Sequence, residues 1–152
     1  MTEIKLHTTI NAPIETVFNL SRSIDFHLKS ASKTKEKAIA GRTSGLINFG
    51  ETVTWRGRHF GLFLKHTSKI TTFERPVNFT DTMIEGHFTY FIHQHNFRAT
   101  NKGVVMTDIL KYKVPFSYLG RCIDKVLVKN HLYNFLKTRN IAIKTEAEAI
   151  CC

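Results

Sequence analysis

The side chains best placed to do chemistry are two histidines one residue apart, His93 and His95, and an aspartate, Asp108, on the run that follows them. In Tyr90–Arg98, Phe91, His93, His95 and Phe97 alternate with Tyr90, Ile92, Gln94, Asn96 and Arg98. In Val104–Lys113, Val104, Met106, Asp108, Leu110 and Tyr112 alternate with Val105, Thr107, Ile109, Lys111 and Lys113. Side chains two apart on a strand share a face. The Gln, Asn, Arg and Lys faces belong in water, so the faces carrying His93, His95 and Asp108 are buried among apolar neighbours. Buried polar groups require partners. Three chemistries fit these three residues. They can close a structural hydrogen-bond network, or orient a ligand and move a proton, since a histidine beside a carboxylate can titrate near neutral pH. Two imidazoles on one side of a strand with a third oxygen ligand would also suit a metal ion. Buried strand histidines are more commonly satisfied by hydrogen bonds, so no metal and no cofactor is expected.

Positioning them requires a hairpin. A four-residue loop over Thr100-Asn101-Lys102-Gly103 pairs residue 99 with 104 and sets His95 opposite Asp108. Direct cross-strand partners stand roughly 4.5–5.5 Å apart at Cβ, within reach of an imidazole–carboxylate hydrogen bond. A slip of one residue would turn Lys111 and Lys113 inward instead. Glu51, Val53 and Trp55 share a face of an earlier strand that ends near His59. Trp55 is either core packing or a cavity wall offering its indole N–H. The inward face of the strand holding Asp81 is undetermined.

The surrounding elements follow from the same patterns. Residues 2–11 alternate as a strand, and Pro13 suits the first turn of a helix running to about Leu20, with Asn11 or a neighbour as cap. Ser21 or Ser23 starts a second short helix. Strands follow at 36–40, 51–58, 62–73, 79–85, 90–99 and 104–114, with a glycine-bearing loop at 41–50 that is a surface turn or a flap. From about Ser117 to Ala149 the pattern is helical. Leu119, Ile123, Val126, Leu127 and Phe135 supply its apolar surface, Cys122 is an ordinary buried position, and the helix is roughly 45 Å long.

A chain of 152 residues, 42% hydrophobic, fits one domain over residues 1–152. No apolar run reaches the ~18 residues of a membrane span. The N-terminus lacks the continuous apolar core of a signal peptide, and one internal cysteine gives no disulfide framework, so a cytoplasmic location is expected. Cys151-Cys152 reads as a chance tail rather than a lipidation signal. The net charge of +10 invites an anionic partner, through Lys29, Lys33, Lys35 and Lys37, Arg56 and Arg58, and Arg121, Lys125, Lys129, Lys137, Arg139 and Lys144. No RNA-binding aromatic signature, phosphate loop or helix-turn-helix spacing accompanies it, so specific nucleic-acid binding is not expected.

The order of elements, and the residues on it, resemble the SRPBCC superfamily, which includes START lipid-transfer domains, the birch pollen allergen and polyketide cyclases. Ile10-Asn11-Ala12-Pro13-Ile14-Glu15-Thr16-Val17-Phe18 looks like the family's strand-to-helix opening. Gly50 through Trp55, His59-Phe60-Gly61, Phe79-Thr80-Asp81, Gly86-His87-Phe88, His93-Gln94-His95, Gly103 through Asp108, Tyr112 through Phe116 and Leu119-Gly120 continue it. The local pattern is similar to the bacterial cyclase/dehydrase-like and cell-division-inhibitor-like branch. The resemblance implies an α+β helix-grip fold, in which a seven-stranded antiparallel sheet wraps a long C-terminal helix, with two short helices after the first strand and an apolar cavity between sheet and helix.

The expected cavity lining is Trp55, His59, Phe91, His93, His95, Phe97, Met106, Asp108, Leu110 and Tyr112. The function that suits it best is non-enzymatic binding of a small hydrophobic molecule, lipid- or polyketide-like. The alternatives are a cyclase or dehydratase using His95 and Asp108 as an acid–base pair, and binding of an anionic surface through the basic patches. Fold alone does not choose among them.

Overall fold

In the computed structural model, which describes residues 1–152, the alternating runs become seven strands. They are β1 (Thr2–Ile10), β2 (Lys37–Gly41), β3 (Thr52–His59), β4 (Leu62–Glu74), β5 (Asn78–Glu85), β6 (Tyr90–Thr100) and β7 (Gly103–Lys113). They form one sheet in the order β1-β7-β6-β5-β4-β3-β2, every pair antiparallel. Helices α1 (Ile14–Ser21) and α2 (Ile24–Ser30) carry the chain from one edge of the sheet to the other. Pro13 holds the N-cap of α1, where its carbonyl accepts from the Thr16 and Val17 N–H groups, and the Ser23 hydroxyl caps α2 by accepting from Phe26 N–H. Asn11 does not cap α1; its N–H donates to Glu148 instead.

The C-terminal helix has three parts: α3 (Ser117–Ile123), a π-helical turn (Asp124–Val128) and α4 (Lys129–Ile150). The sequence suggested one uninterrupted helix. Asp124 explains the break. It is buried at the start of the π turn, where it accepts from the Tyr112 hydroxyl at 2.5 Å and from the Thr2 hydroxyl. An extra residue in the turn brings that carboxylate down onto the edge of the sheet. Beyond it α3 stands off the sheet, its principal packing being against the π turn. Leu119, Ile123, Val126 and Leu127, expected to pack inward, are therefore exposed, and Cys122 is exposed rather than buried.

Two apolar clusters hold helix and sheet together. The larger is centred on Phe18, whose ring meets Phe73, Phe79 and Phe97 edge-on at centroid distances of 5.3–5.6 Å. The smaller joins Ile4, Leu110 and Tyr112 of the sheet to Val128 and Leu136 of the helix. The β6–β7 hairpin closes on Asn101-Lys102, with Thr100 paired to Gly103 and Ala99 to Val104. Gly103 has φ +112, and a Cβ there would run into the Ile10 carbonyl, so the turn requires glycine. This turn sets the register in which His95 faces Asp108.

Candidate functional site

Between the two clusters lies a cavity of about 200 Å³, bounded by the sheet, α2 and α4. Seven of the chain's eight histidines line it: His27, His59, His66, His87, His93, His95 and His131. Its polar floor is made by β5, β6 and β7. Asp81 pairs with His93 across β5–β6, and His95 pairs with Asp108 across β6–β7, so four chemically active side chains converge on one inner face.

Asp108 is 1% exposed and does not itself border the cavity. It stands behind the histidines. His93 Nε2 is 2.9 Å from its Oδ1, and the Asn140 amide donates to Oδ2 at 2.7 Å. His95 Nδ1 lies 3.0 Å from the same Oδ1, but off the line of a well-formed hydrogen bond; this is a charge contact. The well-aligned bond of His95 runs from Nε2 to Asp81 Oδ2 at 3.0 Å. His93 Nδ1 faces that oxygen too, at 3.8 Å. Asp81 lies deep in the fold, yet 21% of its side chain is accessible, through the cavity.

The protonation states follow from these contacts. Burial alone would raise the pKa of Asp108, but the hydrogen bond from His93 and the close contact with His95 outweigh it and hold the carboxylate ionised far below its ordinary range. Asp81 obeys the same balance and titrates at about 2. Burial lowers the pKa of His93, reinforced by the neighbouring His95 charge. Burial also opposes protonation of His95, yet its two carboxylates more than compensate and its pKa is raised. His95 therefore holds its proton more tightly than His93 does.

A second polar group lies on the wall opposite. Glu36 accepts from His27 Nε2 at 2.6 Å, His59 Nε2 approaches it at 3.5 Å, and His59 Nδ1 meets His131 Nε2 at 2.9 Å. The His27 ring also stacks on Trp55 at a centroid distance of 4.1 Å. From α4, Arg139 enters the cavity at 7% exposure; one Nη donates to the Ser21 carbonyl, and its Nε has no partner.

Of the residues expected to line the cavity, Trp55, His59, Phe91, His93, His95 and Leu110 do so. Phe97 and Met106 lie instead in the Phe18 cluster, toward the hairpin end of their strands, and Tyr112 is engaged with Asp124. Sequence reasoning left Asp81 undecided and counted Arg139 among surface charges. Both left a signal. Asp81 shares a face with buried Phe79, and Arg139 falls on the buried stripe Leu132, Leu136, Arg139, Ile143, Ala147 at helical spacing. The 41–50 loop also contributes. Buried Ile47 closes part of the wall, pinned by Arg22, which donates to the Ile47 carbonyl and the Asn48 side chain.

This architecture is a helix-grip fold, a seven-stranded antiparallel sheet around a long C-terminal helix. No protein-family model matches the sequence, and no curated protein matches it. Solved structures do. A protein from Thermus thermophilus superposes with a TM-score of 0.74 at 14% identity, over 96% of this chain and 99% of that one. A major latex-like protein from Panax ginseng gives 0.71 at 13% identity, over 96% and 97%. A protein of unknown function from Staphylococcus aureus gives 0.68 at 13% identity, over 95% and 94%. At these identities the likeness is one of fold.

Glu36 makes the second polar group testable by pH. Burial would raise its pKa, but hydrogen bonds from His27 and His59 bring it down from 4.5 to about 2. A depressed carboxylate stabilises the fold above its unfolded pKa and loses that contribution as pH falls through the folded value. At about 1.36 kcal/mol per pKa unit, roughly 3 kcal/mol is at stake. Urea unfolding of wild type and Glu36→Gln should show a stability gap that shrinks by about that amount between pH 5 and pH 2. A gap that does not change with pH would show that Glu36 is not held by the histidines.

Proposed function

We propose that this chain binds a compact, largely apolar molecule that carries one anionic or hydrogen-bonding group, and that it does so in the cavity between sheet and α4. The observation that carries this reading is Arg139, a guanidinium buried on an otherwise apolar helix stripe and bordering the cavity, with a single hydrogen bond to the protein. Ligand pockets are mostly apolar, with a few convergent polar groups that fix orientation. Trp55, Phe91, Leu110 and Leu132 supply the apolar wall, and Arg139, Asp81, His93 and His95 the polar end. At about 200 Å³ the space lies below the roughly 300–1,000 Å³ of drug-sized sites, which favours a compact ligand over a long acyl chain.

Trp55, the single tryptophan, is a built-in reporter. Native mass spectrometry of the protein purified from its own host should reveal a retained small molecule, and adding that molecule to stripped protein should change Trp55 emission at 1:1 stoichiometry. A charged hydrogen bond contributes about 1.5–3 kcal/mol, so Arg139→Met should weaken an anionic ligand by roughly 10- to 150-fold and its neutral ester much less. Equal loss for acid and ester, or no retained or titratable ligand, would contradict the reading.

A second observation supports the use of an anionic lipid surface. Tyr118, Leu119, Val126 and Leu127 are each more than half exposed, beside Arg121, Lys125 and Lys129. Phe60, exposed at the β3–β4 turn, also lines the cavity, and its ring lies 4.6 Å from His131 of α4. Apolar side chains set in a basic surface are the composition that seats a helix at an anionic interface. Vesicles containing anionic phospholipid should sediment the protein at low salt and release it as salt rises. Burying one Leu or Val contributes about 1.5–3 kcal/mol, so the double variant Leu119→Ser, Val126→Ser should bind at least tenfold more weakly. Binding unaltered in that variant would exclude this face.

A further inference from the structure

We propose that Asp81, His93 and His95 form a binding site for a divalent transition-metal ion, with Asp108 and Asn140 as the supports that hold its histidines. Three features lead there.

The first is distance. One ligand atom from each of the three residues lies within 4.8 Å of the other two. Asp81 Oδ2 is 3.0 Å from His95 Nε2 and 3.8 Å from His93 Nδ1. Ligand atoms of a tetrahedral site with bonds of ~2.0–2.1 Å stand roughly 3.3 Å apart. The two Asp81 spacings lie within about half an ångström of that value, and the two imidazole nitrogens are within 4.8 Å of each other.

The second is orientation. In a metal site each ligating histidine usually gives its other ring nitrogen to a carboxylate, which fixes the ring and raises its basicity. Here Asp108 Oδ1 takes the hydrogen bond of His93 Nε2 at 2.9 Å and stands in charge contact with His95 Nδ1 at 3.0 Å. That leaves His93 Nδ1 and His95 Nε2 both directed at Asp81. Asn140, donating to Asp108 Oδ2 from α4, fixes the support in turn. Two rings turned the same way onto a third, cavity-facing carboxylate are what ligation requires.

The third is access and charge. Asp81, His93 and His95 border the cavity, whereas Asp108 does not, so three protein ligands present one open position to whatever enters. Three carboxylates, Asp108, Asp81 and Glu36, surround one guanidinium, Arg139, so the neighbourhood attracts a cation, which displaces the protons of the imidazoles it ligates. Two histidines and one carboxylate with open positions suit Zn²⁺ or Fe²⁺. A bound ion would offer the cavity's ligand a coordinating position opposite its apolar wall. The proposal goes beyond small-molecule binding and is tested with metal alone, so its failure would leave that reading standing.

The test uses full-length, tag-free protein stripped with chelator and titrated with Zn²⁺ by calorimetry and with Co²⁺ by visible absorption. One equivalent should bind, and the Co²⁺ spectrum should report nitrogen–oxygen coordination. Asp81→Asn, nearly isosteric and partly accessible, should weaken Zn²⁺ at least 100-fold, as should His93→Gln. Asp108→Asn should weaken it by about 10- to 100-fold, the usual effect of removing a supporting carboxylate. His7→Gln, outside the cavity, serves as control, and thermal melts establish that each variant is folded. Absence of stoichiometric binding would overturn the proposal. So would Zn²⁺ affinity in folded Asp81→Asn equal to wild type, which would place the ion elsewhere, for example at Glu36.

Discussion

An ionised carboxylate at the centre of the fold is the constraint from which the rest follows. Asp108 sits on β7, the strand between β1 and β6, with only 1% of its surface exposed. A charge so placed costs several kcal/mol in lost hydration unless its lone pairs are filled. Filling them recruits His93 and His95 from β6 and Asn140 from α4. The same bonds therefore tie helix to sheet, set the direction of two imidazoles, and leave their remaining nitrogens aimed at Asp81. The hairpin turn at Gly103 matters because a shift of one residue would put Asp108 on the solvent face.

That polar floor divides the interior. On one side the phenylalanine cluster around Phe18 is packed ring against ring; on the other, Leu110, Tyr112, Val128 and Leu136 close the sheet onto the helix. The cavity occupies the interval. Buried charge in and around it is balanced rather than absent: Arg139 on the helix faces the fields of Asp108, Asp81 and Glu36. A ligand entering this space would meet apolar walls and a small set of charges whose positions are already fixed, so little reorganisation would be needed to receive a polar group. The π turn at Asp124 serves a different end. By anchoring the helix through Tyr112 and Thr2, it leaves α3 packed chiefly on the turn itself, with its apolar residues in water.

Strand alternation made much of this legible in the sequence. The inward faces of β6 and β7 could be read because Gln94, Asn96, Arg98, Lys111 and Lys113 mark the outward ones. The facing of His95 and Asp108 followed from the turn. What alternation could not give was the direction of each side chain. The well-aligned bond to Asp108 comes from His93, its diagonal neighbour, while directly opposed His95 reaches back to Asp81. Asp81 stayed undecided because the short connection at Glu85–His87 does not fix which face of β5 points inward; its pairing with His93 across β5–β6 does. Arg139 was misassigned by residue type although its helical position was inward, and Leu119 and Val126 because the π turn has no sequence marker. Glu36 was invisible as a site residue, since its partners His27 and His59 lie on other elements.

The role of Asp108 as common acceptor can be read directly from the protons on its two histidines. Long-range ¹H–¹⁵N correlation spectra of the imidazoles in metal-free protein at pH 7 distinguish the two tautomers and the doubly protonated ring. The hydrogen bonds place a proton on His93 Nε2, toward Asp108, and on His95 Nε2, toward Asp81. A His93 protonated on Nδ1 with Nε2 bare would mean that Asp108 does not organise the pair as described.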